Sequence, residues 1–154
     1  MIIEGEFHVT ASIQQTWDFL TNIQKVASCV PSFEKVEVFD DKNFTITVSQ
    51  KVGPFSVTFE TQTNFTEVTP PTRLVAFGKG KDTKMGSSFG LTNQMDLIVV
   101  SEKETLVKYK ADVKINGRLA SVGQSLIKIV AKREVAQVIK LIQEKIGGQL
   151  SEKV

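Results

Sequence analysis

Apolar and polar residues alternate over much of the chain as far as Ile115, and after Gly117 the spacing changes to that of a helix. Ile3, Gly5, Phe7 and Val9 alternate with Glu4, Glu6 and His8, the period of a half-buried strand. Ser12 can cap a short helix with Ile13, Trp17 and Leu20 on one side; Asn22 to Ser28 reads as a second, ended by Cys29-Val30-Pro31. Asp40-Asp41-Lys42-Asn43 is turn chemistry between strands Lys35–Phe39 and Phe44–Lys51. Beyond the Val52-Gly53-Pro54 break, Phe55, Val57, Phe59, Thr61, Thr63 and Phe65 share a face of a long strand. The Thr69-Pro70-Pro71-Thr72 turn leads into Leu74–Lys79, whose facing the periodicity does not set. Ser87, Phe89, Leu91, Asn93, Met95, Leu97 and Val99 share the next face, and Tyr109, Ala111, Val113 and Ile115 point inward from the last strand.

From Gly117 to Gly148 the pattern predicts one long helix. At 100° per residue, Ala120, Gly123, Ile127, Ala131, Val135, Val138 and Ile142 form a stripe toward the sheet, small in its first half and large in its second. Leu119, Val122, Leu126 and Ile129 form a second stripe, which a helix holding the sheet by the first leaves to be covered by the short helices and loops, to meet a second copy or to touch a membrane surface. The expected fold is α+β: an antiparallel sheet wrapped around a long C-terminal helix, two short helices after the first strand, and one domain over residues 1–154. Small residues under the helix's first half leave either a cavity or a space that the inward phenylalanines fill, and the pattern does not choose between them.

Composition narrows the function classes. A net charge of +2 gives no ground for a nucleic-acid partner. Cys29 is the only cysteine, so no internal disulfide can form, and a reducing, cytoplasmic home is expected. The N-terminus lacks the basic and apolar regions of a secretory signal, and no apolar run is long enough to span a bilayer. His8, the only histidine, falls on the polar side of its strand, and one His with one distant Cys makes no metal site. The segment Gly78–Gly86 is a Gly- and Lys-rich hairpin tip without the Gly-Lys-Ser/Thr ending of a phosphate loop. No cofactor is called for.

Several stretches carry a resemblance. The run Gly117-Arg118-Leu119-Ala120-Ser121-Val122-Gly123-Gln124-Ser125-Leu126-Ile127 is similar to the start of the terminal helix in the CoxG-like family, named for a component of carbon monoxide dehydrogenase. Phe7-His8-Val9 followed by Trp17, Cys29-Val30-Pro31, Lys51-Val52-Gly53-Pro54 and Gly78-Lys79-Gly80-Lys81-Asp82 agree in order and spacing. That family belongs to the helix-grip group with START lipid-binding domains and the birch-pollen allergen. The resemblance implies a seven-stranded sheet around the helix with a hydrophobic tunnel between, and accessory service to a molybdenum hydroxylase such as carbon monoxide dehydrogenase at the membrane. Ser32 stands where many members carry glycine, and the sequence stops at Val154 without the long tail some members use to reach the membrane.

The leading expectation is therefore a binder or carrier of a small hydrophobic molecule, quinone- or lipid-like. Its wall would be Phe33, Phe44, Ile46, Phe59, Phe89, Leu91, Met95, Tyr109, Gly123 and Ile127, with Tyr109 and Asn93 orienting one polar end. A rival is a cyclase- or dehydratase-like enzyme, but the inward faces hold Tyr109 and no Asp, Glu, His or Lys to supply a general base. Cys29 near the mouth reads as a buried structural thiol. A third class is an interaction module, in which Leu119, Val122, Leu126 and Ile129 join two copies or, beside Arg118, Lys128 and Lys132, touch an anionic membrane peripherally.

Overall fold

The computed structural model describes residues 1–82, 84 and 86–152, with side chains as far as Gly147; Thr83 and Met85 of the expected hairpin tip, and the last two residues, lie outside them. The chain runs as β1 (Ile2–Val9), α1 (Ile13–Leu20), α2 (Ile23–Ala27), β2 (Phe33–Val38), β3 (Asn43–Val52), β4 (Phe55–Thr69), β5 (Arg73–Asp82), β6 (Ser87–Ser101), β7 (Glu104–Asn116), a 3-10 turn (Arg118–Val122) and α3 (Gln124–Glu152). The strands form one antiparallel seven-stranded sheet in the order β1-β7-β6-β5-β4-β3-β2. This is the α+β architecture that the alternation predicts.

Local chemistry sets the element ends. Ser12 Oγ accepts from the Gln15 amide and Gln15 Oε1 from the Ser12 amide, both at 3.1 Å, a reciprocal cap on α1. Asn22 Oδ1 accepts from the Lys25 amide at 3.1 Å and starts α2. Asp40 closes the β2–β3 turn by accepting from the Lys42 and Asn43 amides, and these bonds hold its carboxyl below the usual carboxylate range.

Strand register confirms that the inward residues share one face. Phe44 lies opposite Thr63, Thr63 opposite Gly78, Gly78 opposite Leu91, and Leu91 opposite Val113, a row running straight across the sheet. The ambiguous β5 turns Leu74, Ala76, Gly78, Gly80 and Asp82 inward. Gly78–Asp82 is thus strand rather than hairpin tip. Gly80 is a packing requirement, because a Cβ there would run into the Phe89 ring and lie 2.8 Å from Thr61 Oγ1.

The expected long helix from Gly117 is interrupted. Gly117 (φ +88°) and Gly123 (φ +93°) bracket the 3-10 turn, and α3 begins only at Gln124. Positive φ is inaccessible to an α-helical residue, so the 100° count cannot run through Gly123. The facing therefore inverts on the N-terminal side: Ala120 and Gly123 are exposed, whereas Leu119 is 2% exposed. Leu119 packs in a cluster with Val52, Val57, Phe59 and Val130, joined by the half-buried Val122 and Leu126. The stripe expected to join two copies is thereby mostly core; of its four members only Ile129, 61% exposed, faces outward.

Two contacts hold the 3-10 turn in place. Its Leu119 amide donates to Ser87 Oγ at 2.9 Å, and Gly117 lies so close to the Gly86 carbonyl that no side chain would fit. Leu119→Ala is expected to cost about 2–5 kcal/mol, as for other large-to-small core changes. Ile129→Lys is expected to change stability by less than about 0.5 kcal/mol. Urea unfolding of the two variants checks the inversion; equal losses would refute it.

Candidate ligand-binding site

The hydrophobic core divides into two clusters at opposite ends of the sheet. One joins Phe7 and Val9 of β1, Trp17, Phe19 and Leu20 of α1, Leu74, Leu97 and Val107 of the sheet, and Ile142 and Ile146 near the end of α3. The other is the Leu119 cluster under the start of α3. Between them lie Ile46, Thr63, Ala76, Leu91, Asn93 and Val113, which face inward and belong to neither. All six remain half-buried although they lie on the helix side of the sheet.

Small side chains run through this middle. Ala76 and Gly78 of β5 and Thr61 and Thr63 of β4 lie side by side. A Cβ on Gly78 would come within 3.2 Å of Thr61 Cγ2 and 3.5 Å of Thr63 Oγ1, so glycine lets these strands present low relief. Thr61 Oγ1 is buried and has no hydrogen-bond partner among the described residues. Such a hydroxyl costs about 1–3 kcal/mol unless something bonds it.

The expected wall residues separate into groups. Ile46, Leu91 and Asn93 belong to neither cluster and are half-buried, and Ile127 is buried on α3 outside both clusters. Phe44 stands edge-on to Phe65 at 5.7 Å. Phe59 and Phe89 stack edge-to-face at 4.7 Å within the Leu119 cluster, closing one end. Met95 and Tyr109 pack on the other cluster. Phe33 sits at the bulged start of edge strand β2, beside Val48. Gly123 is not part of the wall: it is exposed, and a Cβ there would meet nothing within 4 Å.

Asn93 and Tyr109 do not converge. A Cβ on Gly5 would lie 2.6 Å from Tyr109 Oη, so the phenol leans over β1, away from the β6 strand that carries Asn93. Two acids that the pattern did not place inward turn out to be there. Asp82, 4% exposed, accepts from the Thr58 amide at 2.9 Å and the Lys84 amide at 2.8 Å, and so fastens β4 to the β5–β6 turn. Its alternation with Gly78 and Gly80 would have shown its facing. Glu134, half-buried on α3, accepts from Ser32 Oγ at 2.7 Å and from Gln50 Nε2 at 3.4 Å. Its spacing from Val130, Ala131 and Val138 was the available sign.

Cys29 is fully buried, and its Sγ lies 3.5 Å from the Lys25 carbonyl. Burial pushes its thiol above the ordinary value, against the opposing effects of the Lys145 ammonium and Ser28 hydroxyl. A raised pKa lowers the thiolate fraction at neutral pH, which is the reverse of nucleophile activation. Iodoacetamide at pH 8 should therefore modify Cys29 at least about 10-fold more slowly in the folded chain than in urea; mass spectrometry over time reads this, and equal rates would contradict it. Among the described residues no group of three or more His, Cys, Asp or Glu is placed to hold a metal ion. Among them, too, no helix is long and apolar enough to cross a membrane.

A seven-stranded antiparallel sheet gripping a terminal helix, with two short helices after β1, defines the class: this is a helix-grip, START-like fold. The profile of the carbon monoxide dehydrogenase component CoxG matches residues 5–147, and the chain belongs to that family. No curated protein matches the sequence. Among solved structures, it is similar to a conserved protein from Geobacillus kaustophilus, with 16% identity, 96% of each chain covered and a TM-score of 0.87. A START superfamily protein from Mycobacterium smegmatis superposes with a TM-score of 0.75 at 12% identity, covering 96% of this chain and 98% of the other. The Zhui aromatase/cyclase from Streptomyces sp. R1128 gives 0.73 at 12% identity, covering 97% and 95%. At such identities these likenesses speak for the fold alone.

Proposed function

We propose that this CoxG-family chain binds and carries a small hydrophobic molecule, quinone- or lipid-like, between its sheet and α3, as an accessory to a molybdenum hydroxylase such as carbon monoxide dehydrogenase. The observation that supports this reading is the half-buried middle of the inner face, where Ile46, Ala76, Leu91 and Val113 belong to neither core cluster. Apolar residues left accessible beneath a helix are in the condition of a site that gains by taking up an apolar partner. The rival reading, a cyclase- or dehydratase-like enzyme acting through Tyr109, is weaker because Tyr109 Oη lies over Gly5, apart from Asn93. An interaction module through the Leu119 stripe is weaker still, since Leu119 is itself core.

Native mass spectrometry of freshly purified protein should show a bound small molecule, or the stripped protein should take one up from a panel of quinones and fatty acids. A fitting ligand at about 100 times its Kd stabilises by ~2.7 kcal/mol and raises Tm by several degrees. Ala76→Phe separates cavity from core. In a filled core the added ring would cost about 1–3 kcal/mol, whereas in a cavity it should leave Tm nearly unchanged and abolish the ligand-induced shift. A destabilised Ala76→Phe variant, with no shift by any ligand in the native chain, would count against the reading.

Peripheral membrane contact is part of the same proposal, and charge placement supports it. Lys51, Lys84, Lys114, Arg118 and Lys128 are exposed on the end of β3, the β5–β6 turn, the end of β7, the 3-10 turn and the first turns of α3. These segments meet at one end: Gly53 approaches Leu126, and Gly117 approaches Gly86. The N-terminus of α3 adds its positive dipole there, while Asp82 is buried and already bonded. Sedimentation should show binding to phosphatidylglycerol-rich vesicles over phosphatidylcholine ones, weakening as salt rises. Equal sedimentation with both lipids would remove membrane contact from the proposal.

A further inference from the structure

An open groove of about 710 Å³ lies between α3 and the β3–β4 hairpin. Hydroxyls and amides dominate its lining, including Ser32, Ser49, Gln50, Thr58 and Gln137, in contrast to the apolar middle of the sheet. Glu134 is the acid of this groove, and both of its oxygens are engaged from the groove's own wall, by Ser32 and Gln50.

Ser49 and Thr58 line the groove from the outer side of the β3–β4 hairpin, whereas Gln50 and Glu134 belong to rows that run along the inner face. Alternate residues of a strand share a side, so Gln50 stands in line with Val48 and Ile46 on β3. Residues three and four apart share a helix face, which puts Glu134 in line with Val130, Ala131 and Val138 on α3. Stepping inward from the groove along either element leads from polar to apolar side chains.

We propose that this groove is the mouth of the ligand cavity and that Glu134 is its specificity-determining residue, accepting a hydrogen bond from a hydroxyl or amide at the polar end of an otherwise apolar ligand. This rests on the ligand-binding reading above and deepens it. A carboxylate has about four acceptor sites. Ser32 fills one well, and the Gln50 bond at 3.4 Å is longer than the usual range and easily exchanged for a ligand donor. A ligand ending in an ester brings no donor, and one ending in a carboxylate sets acceptor against acceptor beside a half-buried charge. Lys51 and Arg133 stand exposed on the rim, where water and salt screen their attraction for an anionic end.

The test compares a long-chain fatty alcohol, the fatty acid of the same length and its methyl ester by displacement of a fluorescent apolar probe. The native chain should bind the alcohol about 10-fold more tightly than the ester, the discrimination that one charge-assisted hydrogen bond supplies. Glu134→Gln, nearly isosteric, should lose the advantage over the acid and bind the acid about 10-fold more tightly than the native chain does. Ser32→Ala keeps the carboxylate and frees an oxygen, so it should keep or sharpen the preference for the alcohol. Three ligands bound equally by the native chain, or an order unchanged in Glu134→Gln, would overturn the mouth assignment and leave the cavity standing. No binding of any of the three by the native chain would overturn the cavity and the mouth together.

Discussion

One helix cannot cover a seven-stranded sheet. Strands spaced by about 4.8 Å give a sheet about 29 Å wide, and an α-helix with its side chains is about 10 Å across. Twist lets the sheet curl toward α3 but does not close that difference. The remaining inner face must be covered by something else or left open. At one end α1 and α2 do the covering, with Trp17, Phe19 and Leu20 laid against β1 and the end of α3. At the other, the 3-10 turn drops Leu119 onto Val57 and Phe59. Among the described residues the middle has no third cover, and its residues stay half accessible.

The glycines at 117 and 123 follow from the same constraint. If α3 continued back through Gly123, its axis would carry residues 118–122 onward above the sheet and leave the last turn of the barrel-like curve bare. Positive φ at both glycines allows the backbone to turn, and Leu119 then reaches a position that an unbroken helix would deny it. Ser87 fixes the result by taking the Leu119 amide, and Asp82 steadies the same hairpin by bonding Thr58 across to β4. Cover at this end is therefore a joint product of the β5–β6 turn and the break in the helix at Gly123.

The sheet was legible because its period is strict. A residue's facing in a strand follows from counting by two, and the inward lists for β4, β6 and β7 could be read without knowing which strands pair. The terminal helix was legible in its second half for the equivalent reason, with Val138 and Ile142 inward as the 100° count requires. The first half failed at a single residue. Glycine is compatible with helical and positive φ alike, so nothing in Gly123 itself announces a break, and every facing upstream of it was inverted. Asp82 is not legible as inward because the glycines and lysines around it look like a loop, although Gly80 is required by the ring of Phe89 and Gly78 by the side chain of Thr61. Glu134 is not legible as a groove residue, because a charged residue on an amphipathic helix is ordinarily a solvent-facing one.

That last case bears on what kind of ligand the fold can hold. A cavity lined only by Phe, Leu and Ile would select by shape and volume, and discrimination of one methylene is modest, about 1–3 kcal/mol. Polar groups at fixed positions discriminate more sharply, since a ligand that leaves them unpaired forfeits their desolvation. Here the polar positions are asymmetric. Asn93 and the unpartnered Thr61 hydroxyl lie mid-sheet, while Glu134, Gln50 and Ser32 lie at one edge between α3 and β3. On the ligand-binding reading proposed above, an apolar body with a polar end would fit that distribution in one orientation, its end toward Glu134, whereas a wholly apolar body would bury the edge groups without return. The helix thus changes character between successive turns: Ile127 and Val130 are buried apolar residues, and Glu134, one turn beyond, is half-buried and bonded by Ser32 and Gln50.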